Sequence, residues 1–241
     1  MSIDITLVIL FTAAIQSIFG TGVLLFGTPL LLILGYKFQY ALIILLPTSI
    51  LINSFQLRNN LDNLDILFYK RLLLYSIPLI ITFLYLTESF ALRINIIVGV
   101  FLVVISQKDN ILSINRFMNQ LIKYENLYLM IMGIIHGITN LGGALLSAIV
   151  FSKGLSKEGK RTTIAACYLT FAIFQLSTIV MFFDNSNIAF SSNLIYWALG
   201  PAIFFIVERF IYFRIKEATY IACANFFLLV MGLTLVIKDL Y

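Results

Sequence analysis

The stretch HGITNLGGALLSAIVF, residues 136–151, interrupts a long apolar run in its middle. Its first nine residues hold three glycines, an asparagine, a threonine and the histidine of the chain, and apolar sequence flanks them on both sides. Glycine and small polar residues favour breaks in helices. The stretch therefore predicts a helix that stops and restarts inside a hydrophobic environment.

The chain as a whole is too apolar for a water-soluble fold. Of its 241 residues, 61% are hydrophobic and 11% are charged, and the mean hydropathy is +1.02. Its long apolar runs suit membrane-spanning helices better than the alternating pattern of an outer-membrane barrel. The sequence therefore predicts an all-α, multi-pass integral membrane protein whose surroundings are the lipid bilayer.

Eight apolar segments can be marked along the chain. They cover residues 3–35, 40–57, 71–86, 92–106, 126–151, 162–183, 193–213 and 218–237. The first and fifth are long for one crossing, and FGTG (residues 19–22) and NLGG (residues 140–143) interrupt them. The N-terminal stretch lacks the basic flank of a cleavable signal peptide, so the first segment is expected to stay in the membrane. We therefore expect about seven to eight membrane segments.

The segments resemble two related halves of one membrane domain, residues 1–241. Residues 1–106 form the first repeat, residues 107–125 a linker and residues 126–241 the second repeat. The alignment pairs Ser17–Gly22 with Gly137–Gly142, Phe55–Leu57 with Phe174–Leu176, and Pro78 with Pro201. Because the spacing between matched positions is nearly constant, we interpret the halves as two four-segment repeats, each beginning with a glycine-broken segment.

The distribution of basic residues tests how the segments cross. If all eight cross, Lys and Arg divide almost evenly between the two faces, against the positive-inside rule. If the fifth segment enters and leaves on one face, all basic residues except Lys37, Arg93 and Lys238 fall on a single face. By symmetry the first segment is expected to do the same, which gives inverted repeats, each with a re-entrant hairpin and three crossings. Eight plain crossings with parallel repeats are the alternative.

A helix that is broken at membrane depth carries N–H groups and a positive dipole end at the start of its second half, which favours an anion. The polar side chains near both breaks, and those on one face of the segment after each break, can donate hydrogen bonds to an oxyanion. The candidate substrate-binding residues are Gln16, Ser17, Gly20, Thr21 and Gly22; Ser49, Asn53 and Gln56; His136, Thr139, Asn140, Gly142 and Gly143; and Tyr168 and Gln175.

Several functions are disfavoured by what the apolar segments contain. Asp and Glu lie at or near segment ends, with Glu208 the deepest, which argues against a cation carrier. One histidine and two isolated cysteines, Cys167 and Cys223, supply no catalytic or metal-ligating set, so we expect no enzyme activity, no metal and no cofactor. The basic residues sit in short loops, which indicates topology rather than a nucleic-acid partner.

Three features have alternative interpretations. The glycine breaks could serve close helix packing, as small residues do in membranes. The Ser49, Asn53 and Gln56 stripe could simply form interhelical hydrogen bonds. His136 could couple transport to protons, or it could be a core histidine satisfied by its neighbours.

Two stretches together resemble the TauE/SafE family of sulfite and organosulfonate exporters. They are QSIFGTGVLLFGTPLLLILG, residues 16–35, and ALIILLPTSILINSFQL, residues 41–57, both echoed after the linker. The resemblance covers roughly residues 5–237 and implies a permease of the bacterial cytoplasmic (inner) membrane that moves a small sulfur-containing anion. We expect alternating access around a midplane site, and a homo-oligomer is compatible with the sequence. The alternatives are a non-transporting subunit or assembly factor, or a transporter of another small solute.

Overall fold

The structure of the chain is a computed structural model that describes residues 2–58, 60–90, 93–108, 110–183, 190–211 and 217–240. Side chains are described at these positions except at 18–19, 88, 190–192, 210–211 and 217–224. All regular secondary structure in this part of the chain is helical. The all-α prediction is therefore confirmed.

Twelve α-helices follow one another along the described chain. They are α1 (Ile3–Phe19), α2 (Val23–Ile33), α3 (Phe38–Leu57), α4 (Ile66–Tyr75), α5 (Ile77–Ser89), α6 (Ile94–Ser106), α7 (Leu112–Lys123), α8 (Glu125–Thr139), α9 (Gly143–Ser152), α10 (Lys157–Phe182), α11 (Phe190–Ile211) and α12 (Glu217–Leu240). A 3-10 turn at Leu61–Asn63 lies between α3 and α4.

The helix boundaries follow the predicted segments closely at both glycine breaks. The first segment is divided into α1 and α2, and the fifth into α8 and α9. The third segment begins earlier than predicted and is divided at Ser76, whose hydroxyl donates to the Leu129 carbonyl oxygen of α8 at 2.7 Å. This tertiary hydrogen bond accompanies a turn that the apolar pattern alone does not reveal.

Two stretches expected to be loops are helical. The linker contains α7, in which apolar residues recur at helical spacing, with Met118 and Ile122 packed against the core. Lys157–Arg161 lie within the start of α10, because Ser156 caps that helix by accepting the Gly159 N–H at 3.0 Å.

Three helical stretches among the described residues are long and apolar enough to cross a membrane. They are Phe38–Leu57, Ile66–Thr87 and Lys157–Phe182. Shorter apolar helices cover Ile3–Ser17, Val23–Ile33, Ile94–Ser106 and Gly143–Ser152. By the length and composition of the helices that the structure describes, the protein is a helical membrane protein.

Two antiparallel helix pairs organise the core. The end of α3 packs against the start of α10, where Leu57 shares a cluster with Ala165 and Ala166. In the second pair, α6 and α12 cross at two glycines. A Cβ added at Gly99 would lie 2.8 Å from the Gly232 carbonyl oxygen, and one added at Gly232 would lie 2.7 Å from that of Gly99. The absence of both side chains lets these backbones touch.

The remaining helices flank this core. Helix α1 packs along α11, and α8 packs along α5. A Cβ at Gly133 would contact the Ser76 backbone, and one at Gly137 would contact the Ile80 backbone one turn further on. Helices α8 and α5 therefore run in the same direction.

Each broken segment folds into a hairpin whose two ends are joined. The Tyr36 hydroxyl, just after α2, donates to Asp4 Oδ2 at 2.6 Å at the start of α1. This hydrogen bond raises the pKa of the Tyr36 phenol. At the other hairpin, Lys153 Nζ after α9 lies 2.7 Å from Glu125 Oε2 at the start of α8 and 3.8 Å from Asp65 Oδ2. The chain thus enters and leaves each hairpin at nearly the same place.

Candidate functional site

The first break consists of residues 20–22 at the tip of the α1–α2 hairpin. Gly20 closes α1 in the left-handed conformation, with φ 75, and donates its N–H to the Gln16 carbonyl oxygen at 2.8 Å. A Cβ added at Gly22 would lie 2.5 Å from the Gln16 backbone nitrogen and 2.6 Å from the Thr12 carbonyl oxygen. The tip can therefore fold back onto the last turns of α1 only with glycine at this position.

The Gln16 side chain connects three helices beneath this tip. Its Oε1 accepts the Val23 N–H at 3.0 Å, which satisfies one of the free donors at the start of α2. Its Nε2 donates to Asn53 Oδ1 of α3 at 3.4 Å. Asn53 Nδ2 in turn donates to the Ser49 carbonyl oxygen at 2.7 Å and to Ser49 Oγ at 3.0 Å. All three side chains are buried.

The second break, residues 140–142, is built with the same plan. Asn140 ends α8 in the left-handed conformation, with φ 61, and donates its N–H to the His136 carbonyl oxygen at 2.8 Å. The Leu141 N–H donates to Thr139 Oγ1 at 3.1 Å. The Gly142 N–H donates to His136 Nδ1 at 3.1 Å. The start of α9 is therefore closed by side chains of the preceding helix.

His136 is held in one tautomer by its two neighbours. Because Nδ1 accepts the Gly142 N–H, the proton lies on Nε2, which is 3.2 Å from Gln175 Oε1 of α10 and donates to it. His136 occupies the position in its hairpin that Gln16 occupies in the first. Each accepts a hydrogen bond from an N–H at or just before the start of the second helix, or second arm, of its hairpin. Each also forms a hydrogen bond with a side-chain amide on the helix that follows the hairpin.

The second break reaches across to the first hairpin. Asn140 Nδ2 donates to Thr28 Oγ1 of α2 at 2.8 Å, and α2 and α9 are in contact. The two hairpins therefore meet inside the protein, although their two tips do not touch through these bonds. Thr28 was not among the residues predicted from the sequence, because a threonine in an apolar helix is an ordinary residue until its partner is known.

Two buried polar atoms at the second break have no hydrogen-bond partner among the described residues. They are Asn140 Oδ1 and Gln175 Nε2, on side chains that are both 0% exposed. Leaving such a group unsatisfied costs about 1–3 kcal/mol, so native proteins rarely keep one without a reason. One acceptor and one donor are thus available in the interior beside the start of α9.

The other predicted residues lie at or beside the breaks with different partners. The Ser17 hydroxyl donates back to the Ala14 carbonyl oxygen at 2.7 Å. Thr21 is buried in the first tip. Tyr168 extends from α10 to the start of α9, where its ring occupies the space that a side chain at Gly143 would need. Gln56 is half-buried and lies near Arg161 of α10, a residue that the charge pattern of the sequence relates only to topology.

The described residues contain no group of three or more His, Cys, Asp or Glu side chains that could hold a metal ion. Cys167 is a buried free thiol, whereas the Cys223 side chain lies outside the described set. Glu208 forms an ion pair with Arg161.

The chain matches no known protein family model, no curated protein and no solved structure.

Proposed function

We propose that the chain is a membrane permease for a small anion, a sulfur oxyanion such as sulfite or an organosulfonate, which it moves by alternating access. The observation that carries this proposal is the pair of broken helices whose second arms begin in the interior beside uncharged polar groups. The resemblance to the TauE/SafE family favours the same substrate class. The bacterial cytoplasmic membrane is the location that this resemblance implies.

The position of the hairpin ends supports an inverted arrangement of the two halves. The ends of the first hairpin lie near a cavity of about 480 Å³ that is lined by Lys37, Arg93 and Asp239, among others. Lys238 lies at the same end, where its Nζ donates to the Ile33 carbonyl oxygen at 2.9 Å. The three basic residues that the positive-inside count leaves on the minor face are thus neighbours. The ends of the second hairpin lie at the opposite end of α3, beside Asp65.

Helix directions support the same arrangement. In the repeat alignment α3 corresponds to α10, and α6 corresponds to α12, and each of these pairs is antiparallel. The alignment also pairs α1 with α8, and α11 with α5. The contact between α1 and α11 therefore has its counterpart in the contact between α8 and α5. A two-fold axis in the membrane plane relates elements in this way, whereas parallel repeats would leave equivalent helices pointing in the same direction.

The anion would bind where the hairpin arms restart. The N–H groups of Leu24 and Leu25 in α2 have no backbone acceptor within their helix, and the same holds for Gly143 in α9. The Val23 and Gly142 donors are bonded to Gln16 Oε1 and His136 Nδ1, which are neutral acceptors. An anionic oxygen forms hydrogen bonds roughly twice as strong as neutral ones, so it would replace these acceptors when the halves rock apart. We therefore interpret the described arrangement as a closed state in which side chains stand in for substrate oxygens.

Membrane topology gives the first prediction. We expect cysteines introduced at Asn119 and Gly154, before and after the α8–α9 hairpin, to react with a membrane-impermeant maleimide from the same face. Cysteines at Lys37 and Arg93 should react from the other face. Labelling of intact cells and of inverted vesicles measures this. Reaction of Asn119→Cys and Gly154→Cys from opposite faces would mean that α8 and α9 cross the membrane as one segment, and the inverted arrangement would then be wrong.

Flux of the purified chain tests the function itself. We expect saturable uptake of radiolabelled sulfite into proteoliposomes, reduced by sulfoacetate or taurine as competitors, with sulfate as a further probe of oxyanion selectivity. Gln56→Leu and Asn140→Gly should lower the uptake by about fivefold to a hundredfold, since each removes polar groups worth about 1–3 kcal/mol. Glycine is chosen at position 140 because it tolerates the left-handed backbone there.

The control variant is Gln120→Leu, which makes the same chemical change on the exposed surface of α7. Its uptake should equal that of the unmodified chain. Absence of uptake for every oxyanion and sulfonate, in protein that is folded, would overturn the permease proposal. The glycine breaks would then be packing devices of a non-transporting subunit.

A further inference from the structure

An ion pair between α10 and α11 lies beside the tip of the first hairpin. Arg161 Nη2 is bonded to Glu208 Oε1, and the two side chains are 24% and 29% exposed. Arg161 Cγ lies 3.8 Å from the position that a Cβ at Gly20 would take. An ion pair from the second half of the chain therefore lies next to the break in the first half.

A chain of hydrogen bonds connects this pair with the start of α2. When the Gln56 amide oxygen faces Arg161, it accepts from Nε at 3.2 Å and from Nη2 at 3.3 Å. The Gln56 amide nitrogen then donates to Asn53 Oδ1 at 3.0 Å. Asn53 Oδ1 also accepts a hydrogen bond from Gln16 Nε2 at 3.4 Å. Because Gln16 also accepts a hydrogen bond from the Val23 N–H, a continuous chain of hydrogen bonds connects the start of α2 with Arg161.

Arg161 differs from the other arginine whose ion pair is described. Arg71 bonds to Glu125 at 3.0 Å, but it is 54% exposed and lies at the ends of the second hairpin rather than at a break. Arg161 is more buried and adjoins the candidate site. A guanidinium binds an oxyanion or sulfonate through two parallel N–H groups, which makes it suited to recognise such a substrate.

We propose that Arg161 recognises the charge of the transported anion, and that Glu208 is an internal counter-ion which the anion displaces. This inference rests on the proposed function. With the anion absent, Glu208 neutralises Arg161. When an anion arrives from the face of Arg161, it and Glu208 compete for the same guanidinium. The pair therefore admits only solutes that can replace a carboxylate, and it rejects neutral and cationic ones.

Two substitutions should change substrate affinity in opposite directions. Glu208→Gln removes the competitor, so we expect the KM for sulfite to fall by about tenfold, the change that 1.4 kcal/mol produces. Arg161→Gln removes the recognising charge, so the KM should rise by about tenfold or more. Arg161→Lys should lie between, because it keeps the charge without the two parallel donors. Initial rates of sulfite uptake into proteoliposomes give KM and kcat separately.

A purely structural ion pair predicts a different pattern. Loss of either partner would then weaken the fold and change uptake in the same direction. The controls are Arg71→Gln and Glu158→Gln, at exposed positions away from both breaks, which should leave the KM unchanged. If the unmodified chain transports sulfite but Glu208→Gln leaves the KM unchanged or raises it, the role of Glu208 is wrong while the permease function stands. If the unmodified chain transports no anion, both proposals fail.

Discussion

Gly22→Ala is expected to abolish anion uptake and to destabilise the chain. The added Cβ would lie 2.5 Å from the Gln16 nitrogen and 2.6 Å from the Thr12 carbonyl oxygen, and both atoms are helix backbone that no rotamer change can move. Overpacking of this kind typically costs about 1–3 kcal/mol, or the tip must move away from α1. Either response separates Val23 from Gln16 and disrupts the start of α2. Sulfite uptake and thermal unfolding in detergent measure the two effects.

Gly154→Ala is the matched control, because no atom of the described residues lies within 4 Å of the Cβ that it would add. The control should transport and unfold like the unmodified chain. Gly22→Ala therefore tests the steric contact with the backbone of α1, which Gly154→Ala lacks. Normal uptake and stability of Gly22→Ala would show that the first tip does not fold back onto α1.

The glycine breaks could be predicted from the sequence because they are local. Glycines and small polar residues within an apolar run have few explanations other than an interrupted helix, and both interruptions occur where they were expected. The division at Ser76 could not be predicted from the apolar pattern; at this turn the Ser76 hydroxyl donates to the carbonyl oxygen of Leu129, a residue far along the chain. Similarly, Gly99 and Gly232 look like ordinary membrane-helix glycines until α6 and α12 are brought together.

The hydrogen-bond roles of Gln16 and His136 could not be predicted from the sequence. Their residue types predict that Gln16 and His136 donate hydrogen bonds to an anion. In the structure Gln16 Oε1 and His136 Nδ1 accept backbone N–H groups instead. Amides and imidazoles carry both donors and acceptors, so residue type alone does not decide which end faces the backbone. The role of these residues depends on the distance between the two arms of each hairpin, which the sequence does not contain.

Arg161 could not be distinguished from the neighbouring basic residues by its charge and position in the sequence. Its place among Lys157, Lys160 and other basic residues after the fifth segment is what the positive-inside rule predicts for a loop. The structure brings it next to Gly20 and Glu208, which are distant in sequence. A residue can therefore contribute to topology and to a candidate site together, and only the packing of α10 against its neighbours distinguishes it from the other basic residues.

His136→Leu should reduce uptake by about one to two orders of magnitude, whereas His136→Gln should retain most of it. Leucine leaves the buried Gly142 N–H without an acceptor, at a cost of about 1–3 kcal/mol at the start of α9. Glutamine can supply the acceptor, because Gln16 does this at the equivalent position of the first hairpin. Sulfite uptake and thermal unfolding should be measured for both variants, with Gln16→Leu expected to resemble His136→Leu.

The same pair of variants decides whether His136 carries protons during transport. Glutamine does not titrate, so a chain that uses His136 only as a hydrogen-bond acceptor should keep the same dependence of uptake on pH after His136→Gln. Loss of both the uptake and its pH dependence in His136→Gln, with normal stability, would contradict the acceptor role and favour proton coupling through the imidazole. The bonds to Gly142 and Gln175 hold both ring nitrogens, which is why we expect the first result.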